Sequence, residues 1–331
     1  MASRIILIVF AGAAVFFAAH QAIWIDETTQ LFGLTLPPLE QLQWLSGARE
    51  IVSGVPPDRA MPMSYWLGGL WAAVFGLGEM QMRVFGIACM LAGAPAIWLA
   101  GRRLAGPQGA LFALAAVYLA PGMVVQAGEI RSYPLFFAFS AWAIWAFVEV
   151  LERPLAPRRP LALLVLFLTL AIYTHFFGFV LAVFLGATLI AVFLAERRPL
   201  APVLVAALAA LILSAGTLPF FAGALAATGR GETAAAAEAV PLGETLRDTA
   251  RLVFRLALHG NAFAVLPVRP VALLSLAALA VAAVIRQWPG HTRARGLALL
   301  LVLVLALSIL PLLKLSVRGF DVLAPHYNLW M

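Results

Sequence analysis

A succession of long apolar runs is the feature that most constrains what this chain can fold into. Nine runs approach the length of about 20 residues that a helix needs to cross a bilayer. They lie at residues 5–24, 83–101, 107–125, 134–151, 160–175, 177–195, 199–221, 264–285 and 296–313. Since 63% of the residues are hydrophobic and 11% are charged, lipid must be the solvent for most of the chain. We predict an all-α polytopic membrane protein with about nine or ten transmembrane helices.

The runs are expected to form one transmembrane domain over residues 1–331, because no internal repeat or soluble domain separates them. The first run lacks a small-residue cleavage site and leads directly into an acidic segment, so we expect it to stay as a signal anchor. The chain ends at Met331, shortly after another apolar segment begins, and we expect further residues beyond it.

Arginine placement predicts the topology. If residues 63–77 lie in the membrane interface, one side of the membrane carries 11 of the 22 basic residues and only three of the 15 acids. Cytoplasmic connections show such an excess of arginine. If residues 63–77 spanned the membrane instead, Arg102 and Arg103 would face the side opposite to Arg4. We therefore predict an interfacial helix in a long first external loop, residues 25–82, and a second long external loop at residues 222–263.

Two adjacent acids, Asp26 and Glu27, follow the first run at the membrane edge. Charges there are costly and usually functional. In extended backbone their side chains would point to opposite sides, so only one could face a cavity. We predict that Asp26 is a catalytic base. The alternative is that both acids cap a juxtamembrane helix.

Further candidates lie at other external edges. Glu129 and Arg131 precede Pro134 and, in an extended lead-in, would share a face; a guanidinium fork suits a phosphate, although Arg131 could simply pair with Glu129. His175 could donate to a phosphate, orient the base or serve as a structural histidine. His20, inside the first run, is interpreted as a hydrogen-bonded core residue. A second phosphate-side cluster is predicted from Lys314, Arg318, His326 and Tyr327.

Several classes of chemistry lack their motifs. The sequence has no Gly-rich nucleotide cradle, no metal-spaced Cys/His set and no serine nucleophile elbow. A soluble nucleotide donor is therefore not expected. Nucleic acid is not expected as a partner either, because the basic residues lie between apolar runs as topology signals.

The order of these motifs resembles a known family. The chain is similar to the family 39 type of membrane glycosyltransferases with the GT-C fold. The likeness rests on four motifs in order: Asp26-Glu27 after the first span, Pro62 to Trp71 with Arg83 beyond, Glu129-x-Arg131-x-Tyr133, and Tyr173-Thr174-His175-Phe176. Protein O-mannosyltransferases and aminoarabinose transferases belong to this type. The likeness covers about the first 200 residues. Many relatives carry a His-Pro-Pro-Leu-Tyr motif where this chain has Ala60-Met61-Pro62-Met63-Ser64-Tyr65, so the histidine is missing.

The resemblance implies an inverting transferase that moves a sugar from a polyprenyl-phosphate donor to an acceptor hydroxyl on the outer side of the membrane, the periplasmic side in a bacterial inner membrane. Asp26 would be the catalytic base. The acceptor, a lipid, a glycan or a protein, stays open. A second acid, Glu27, Glu40 or Asp58, could orient the acceptor or hold a divalent cation. Whether the enzyme uses such a cation, Mg²⁺ or Mn²⁺, also stays open. Substrate contacts are expected from Glu27, Asp58, Tyr65, Glu129, Arg131, Tyr133, His175, Lys314, Arg318, His326 and Tyr327.

Two other functions place charges at the ends of spans. A transporter or lipid flippase would more often show inverted repeats and ionisable residues in mid-span, which these runs nearly lack. A non-catalytic scaffold would need no clustered external acids and arginines, and Asp26→Asn would then leave activity intact.

Overall fold

The computed structural model describes residues 1–49, 51, 58, 60–153 and 158–231. Within these ranges the chain forms helices joined by short turns and contains no strand, which confirms the prediction of an all-α polytopic membrane protein. The helices are α1 Ala2–His20, α2 Ile25–Thr35, α3 Pro38–Leu45, α4 Met63–Phe75, α5 Glu79–Ala92, α6 Ala94–Tyr118, α7 Pro121–Ala127, α8 Tyr133–Glu152, α9 Arg158–Thr174, α10 Phe177–Ala195, α11 Ala201–Ser214 and α12 Leu218–Gly231, with a 3₁₀ turn at Ala215–Thr217.

Five helical segments of the described chain are long and apolar enough to cross a membrane. They are Ala2–His20, Glu79–Tyr118, Tyr133–Glu152, Phe177–Ala195 and Ala201–Ala224. The predicted spans 5–24, 134–151, 177–195 and 199–221 correspond to four of them. Helix α9 covers the predicted span 160–175 with 17 residues. The predicted spans 264–285 and 296–313 lie outside the described residues.

The segment Glu79–Tyr118 is not straight. Gly106 has φ +73°, a conformation that suits glycine, and Pro107 follows it, so the helix breaks where the sequence separates the runs 83–101 and 107–125. The second run was predicted too long, because helix α6 ends at Tyr118. Pro121 begins the separate helix α7, where its missing N–H costs nothing.

The segment before α4 is more helical than predicted. Asp26 and Glu27 lie in the first turn of α2, so the expectation of extended backbone was wrong. Their side chains project about 100° apart around the helix axis, which still sends them to different surroundings. Helix α3 follows and ends at Leu45. Helix α4 is short, as predicted for residues 63–77, while its interfacial placement stays a prediction.

Helix α8 packs against α5, α6 and α9, and α1 packs against α5, α6 and α7. The core between them contains Phe10 and Tyr118, whose rings meet edge to face with centroids 4.8 Å apart. Residues 1–186 and 199–227 form one compact unit, and every contact used below lies within it. In a second unit, Arg198 pairs with Glu196 at 2.6 Å. The prediction of one domain over residues 1–331 stays a prediction.

Candidate active site

Asp26 is an exposed acid at the beginning of helix α2. The chain reaches α2 through Trp24 in extended backbone, and Asp26 is the second helical residue, where the helix dipole favours a negative charge. Its carboxylate makes no hydrogen bond or ion pair with the residues that the structure describes. The Asp26 side chain is therefore exposed within the part of the chain that the structure describes.

Glu27, the next residue, is buried and fully engaged. Its Oε1 lies 3.1 Å from Arg83 Nη1 and accepts a hydrogen bond from the Ile130 N–H at 2.9 Å. Its Oε2 accepts from Arg83 Nη2 at 3.2 Å and from the Trp24 N–H at 3.0 Å. The structure thus gives both Glu27 oxygens protein donors. A substrate contact of Glu27 stays a prediction.

Arg131 stands beside Asp26. Its Nη1 donates to the backbone oxygen of Asp26 and to Asp58 Oδ1, each at 3.1 Å. Asp58 also accepts a hydrogen bond from the Tyr65 hydroxyl. Burial lowers the pKa of Arg131, but Asp58 and the other neighbouring groups outweigh this and raise it above its usual value. The guanidinium is therefore permanently charged and oriented by two residues of the first predicted external loop.

Tyr65 is a buried phenol of helix α4, where its ring meets Trp44 edge to face. Burial, and then the charge of Asp58, raise its pKa well above the usual value. The hydroxyl consequently stays protonated and acts as the donor toward Asp58. This orients Asp58 toward Arg131, whatever further contact either residue makes with a substrate.

Glu129 lies in the loop between α7 and α8 and accepts a hydrogen bond from Gln126 Nε2 at 3.0 Å. Burial raises the pKa of Glu129 to about 7, the charge of Glu27 adds to the rise, and Arg131 opposes it. The pairing of Glu129 with Arg131 that the sequence left open is not the contact seen, since Arg131 pairs with Asp58. Glu129 is thus a partly buried carboxyl with a raised pKa, whereas Asp26 is exposed.

His175 joins α9 to α10 among aromatic rings. It stacks on Phe177 with centroids 5.0 Å apart and lies 5.3 Å from the ring of Tyr133, the first residue of α8. Its Nδ1 accepts the Phe177 N–H at 3.2 Å, which places the ring proton on Nε2. Burial, and then the charge of Arg131, lower the pKa of His175 to about 3. His175 is therefore neutral at physiological pH, with its ring proton on Nε2.

The structure thus brings one set of predicted residues together around one end of helix α8, with Glu27 and Glu129 close to it: Asp26, Asp58, Tyr65, Arg131, Tyr133 and His175. The predicted second cluster lies outside the described residues; its members are Lys314, Arg318, His326 and Tyr327.

The model of one protein family matches this chain. Its description is dolichyl-phosphate-mannose-protein mannosyltransferase, and the match covers residues 56–222, half of the chain. The chain belongs to this family. It is accordingly a membrane glycosyltransferase of the mannosyltransferase type, as the resemblance implied, and the enzyme interpretation holds over the transporter and scaffold alternatives. A comparison with curated proteins gave no match.

The family match contains Asp58, Tyr65, Glu129, Arg131 and His175 but begins after Asp26. Only the fold joins Asp26 to the matched part, through the contact of its backbone oxygen with Arg131. The role of Asp26 in this mannosyltransferase-type enzyme therefore depends on the geometry of the site and is taken up as a proposal below.

The divalent cation left open by the sequence lacks a fitting cluster in the described part of the chain. No three His, Cys, Asp or Glu side chains there come together as ligands, whereas Mg²⁺ and Mn²⁺ prefer several oxygen donors. Asp58 is already engaged by Arg131 and Tyr65. These residues do not fit a cation site, and no step below depends on one.

Sequence reasoning missed the function of Arg83 and misplaced His20. Arg83 was noted only as part of the family resemblance, although a charge at the start of an apolar run signals a buried partner. His20 is exposed, so its interpretation as a core residue was wrong; its Nδ1 does hydrogen-bond to the Phe16 carbonyl at 2.7 Å.

Proposed function

We propose that this membrane glycosyltransferase moves a sugar from a polyprenyl-phosphate donor to an acceptor hydroxyl and inverts the anomeric configuration. The observation that carries this proposal is the adjacency of Asp26 and Arg131. A carboxylate without protein partners among the described residues lies beside a guanidinium whose Nη1 is 3.1 Å from the Asp26 backbone oxygen. Such a pair supplies a proton acceptor and a phosphate-binding cation at one place.

Asp26 acts as the general base in this mechanism. Its carboxylate takes the proton of the acceptor hydroxyl while that oxygen attacks the anomeric carbon of the donor sugar. The new bond forms on the face opposite to the bond that breaks, which inverts the configuration. The exposure of Asp26 supports this function, because an acceptor of lipid, glycan or protein must reach the carboxylate from outside.

Arg131 stabilises the leaving group. As the bond between the anomeric carbon and the phosphate oxygen breaks, its electron pair passes to polyprenyl phosphate, and the guanidinium balances the growing negative charge. Asp58 and Tyr65 hold Arg131 ready, so little reorganisation is needed during the reaction. His175 is neutral and contributes no charge.

The remaining predicted contacts complete the proposed site. Glu129 lies in the same loop as Arg131, and Tyr133 follows as the first residue of α8. A second set is proposed on the phosphate side from the sequence alone: Lys314, Arg318, His326 and Tyr327. The excess of arginine on the opposite side supports an active site on the outer face, the periplasmic face of a bacterial inner membrane.

The test compares wild type and Asp26→Asn, purified in detergent, for sugar transfer from radiolabelled polyprenyl-phosphate sugars. Loss of a general base lowers kcat by about 10²- to 10⁴-fold. Donor binding should persist, because Arg131 is untouched. Glu149→Gln is the control, since it removes the same charge near the last turn of α8, away from the site.

Two results would overturn this assignment. Equal turnover of donor by wild type and Asp26→Asn would remove Asp26 from the chemistry and direct the search to Glu27 or Glu129. Absence of donor binding by the wild-type protein would reject polyprenyl-phosphate sugars as the donor class.

A further inference from the structure

Arg83 is a completely buried arginine that the proposed chemistry does not use. Its Nη1 donates to Glu27 Oε1 at 3.1 Å and to the Gly128 carbonyl at 2.7 Å. Its Nη2 donates to Glu27 Oε2 at 3.2 Å. Nη2 and Nε both also donate to Glu79 Oε1. One guanidinium therefore joins helix α5 to helix α2 and to the loop before α8.

Glu27 makes the complementary connection. It follows Asp26 directly, and it accepts the N–H of Ile130, the residue directly before Arg131, at 2.9 Å. The same carboxylate also holds the N–H of Trp24 at the start of α2 at 3.0 Å. The backbone before the proposed base and the backbone next to the proposed phosphate ligand are thus hydrogen-bonded to a single side chain.

Gly86, one turn after Arg83 on α5, provides an independent sign of close fit. A Cβ at this position would lie 2.6 Å from the Ala127 carbonyl oxygen and 3.2 Å from the Glu129 carbonyl oxygen. Real Cβ atoms do not approach backbone oxygens at the shorter distance, so the loop rests directly on the glycine. The position of the loop relative to α5 is therefore defined by packing as well as by charge.

We propose that the buried Glu27–Arg83 pair is a positioning device that sets the distance between the Asp26 base and the Arg131 phosphate ligand. The inference rests on the proposed function, because it takes Asp26 as the base and Arg131 as the phosphate ligand. A buried pair can do this because each charge, once removed from water, must keep its particular partners. The geometry between the two reacting groups is then independent of whether the substrate is bound.

The device should affect kcat and leave donor binding nearly unchanged. Arg131 has a separate anchor, Asp58, at 3.1 Å, so it can still hold the donor phosphate when Glu27 is altered. What changes is the distance from the donor to the base, and a displacement of about 1 Å can cost about 100-fold in rate. A purely structural pair would instead reduce the amount of folded protein without changing kcat per donor-binding site.

The experiment measures kcat per donor-binding site and donor KM for wild type, Glu27→Gln and Asp26→Asn. For Glu27→Gln we expect kcat to fall about 10- to 100-fold and KM to stay within about threefold of wild type. Glu79→Gln is the matched control. It also removes an acid bonded to Arg83, but Glu79 is half exposed and its side chain is bonded to neither α2 nor the loop, so its kcat should equal wild type.

A second variant tests the geometry without changing a charge. Gly86→Ala should push the loop away from α5 and lower kcat with donor KM preserved, and it decides the matter if Glu27→Gln does not fold. Wild-type kcat in a folded Glu27→Gln protein, or in Gly86→Ala when only that variant folds, would overturn the positioning proposal. If Asp26→Asn keeps wild-type kcat, the proposed base itself fails, which is a different outcome from failure of the positioning device alone.

Discussion

Ion pairs lie near both ends of helix α8, which is about 30 Å long, and the two sets are built differently. Near its first residue, Arg83 and Glu27 are almost completely buried, with exposed side-chain fractions of 0% and 2%. Near its last residue, Glu149 pairs with Arg103 and Arg153, whose side chains are 44% and 51% exposed. Glu152, which also pairs with Arg103, is 1% exposed, so both ends bury an acid, but only the first end also buries the arginine.

This difference separates two functions of arginine in one membrane protein. Exposed arginines between spans indicate which side of the membrane a connection occupies. Their exact partners contribute little to stability. A buried arginine needs specific partners, because an unpaired charge away from water is costly. The end with buried pairs is also the end that carries Asp26 and Arg131, as expected where geometry must be exact.

The largest expected effect is on stability, from Arg83→Met. Removing the arginine leaves Glu27 buried without its cation, and breaking a buried pair in this way costs about 3–5 kcal/mol. The free energy of unfolding in detergent measures the loss. Arg153→Met at the other end serves as the comparison, with an expected cost of about 1 kcal/mol or less. Similar losses for the two variants would contradict the distinction between the ends.

The next effect concerns pH and Glu129. Its pKa is raised from 4.5 to about 7 in the folded state, so folding favours the protonated carboxyl. The contribution of Glu129 to stability is therefore fully present below pH 4.5 and declines as pH rises through about 7, by up to about 3 kcal/mol for a shift of this size. Thermal unfolding between pH 4.5 and 8 should show this decline in wild type.

Glu129→Gln is the variant that isolates this contribution. Since glutamine does not titrate, the decline between pH 4.5 and 8 should be smaller in Glu129→Gln than in wild type. Glu149→Gln should leave the wild-type decline in place. An identical pH dependence of unfolding in wild type and Glu129→Gln would show that Glu129 is not the group responsible.

The smallest effect is expected at the exposed end. Glu149→Gln removes the carboxylate that Arg103 and Arg153 share, and exposed pairs contribute about 0–1 kcal/mol. Both the free energy of unfolding and the transfer activity should stay close to wild type. A loss of activity in this variant would mean that the end of α8 far from Asp26 also takes part in the reaction.

Much of the fold follows from local patterns. The apolar runs predicted α1, α8 and α10 within a few residues, because the length and hydrophobicity of a span are properties of consecutive residues. The same reasoning failed after Tyr118 and in the segment before α4. There, the run 107–125 is divided by Pro121, and α2 forms where extended backbone was expected. Hydrophobic length does not report where a helix stops.

The candidate site was predictable only as a set of residue types. Asp26, Arg131 and His175 could be singled out because polar side chains at the edges of apolar runs are uncommon. Their partners could not be singled out, because those of Arg131 lie far away along the chain. Asp26 is 105 positions and Asp58 is 73 positions from Arg131. No local pattern distinguishes the exposed acid from the buried one in the pair Asp26–Glu27.

The sequence by itself therefore determined that this protein is an all-α membrane protein with acids and an arginine at the ends of its spans, because hydrophobic length and charge bias are read from neighbouring residues. Tertiary structure alone decided that Glu27 turns inward to Arg83, 56 positions away, while Asp26 remains exposed. The physical reason is that burial and pairing arise between distant segments. The helical phase of α2 and the packing of α5 against the loop before α8 select which charge loses its water.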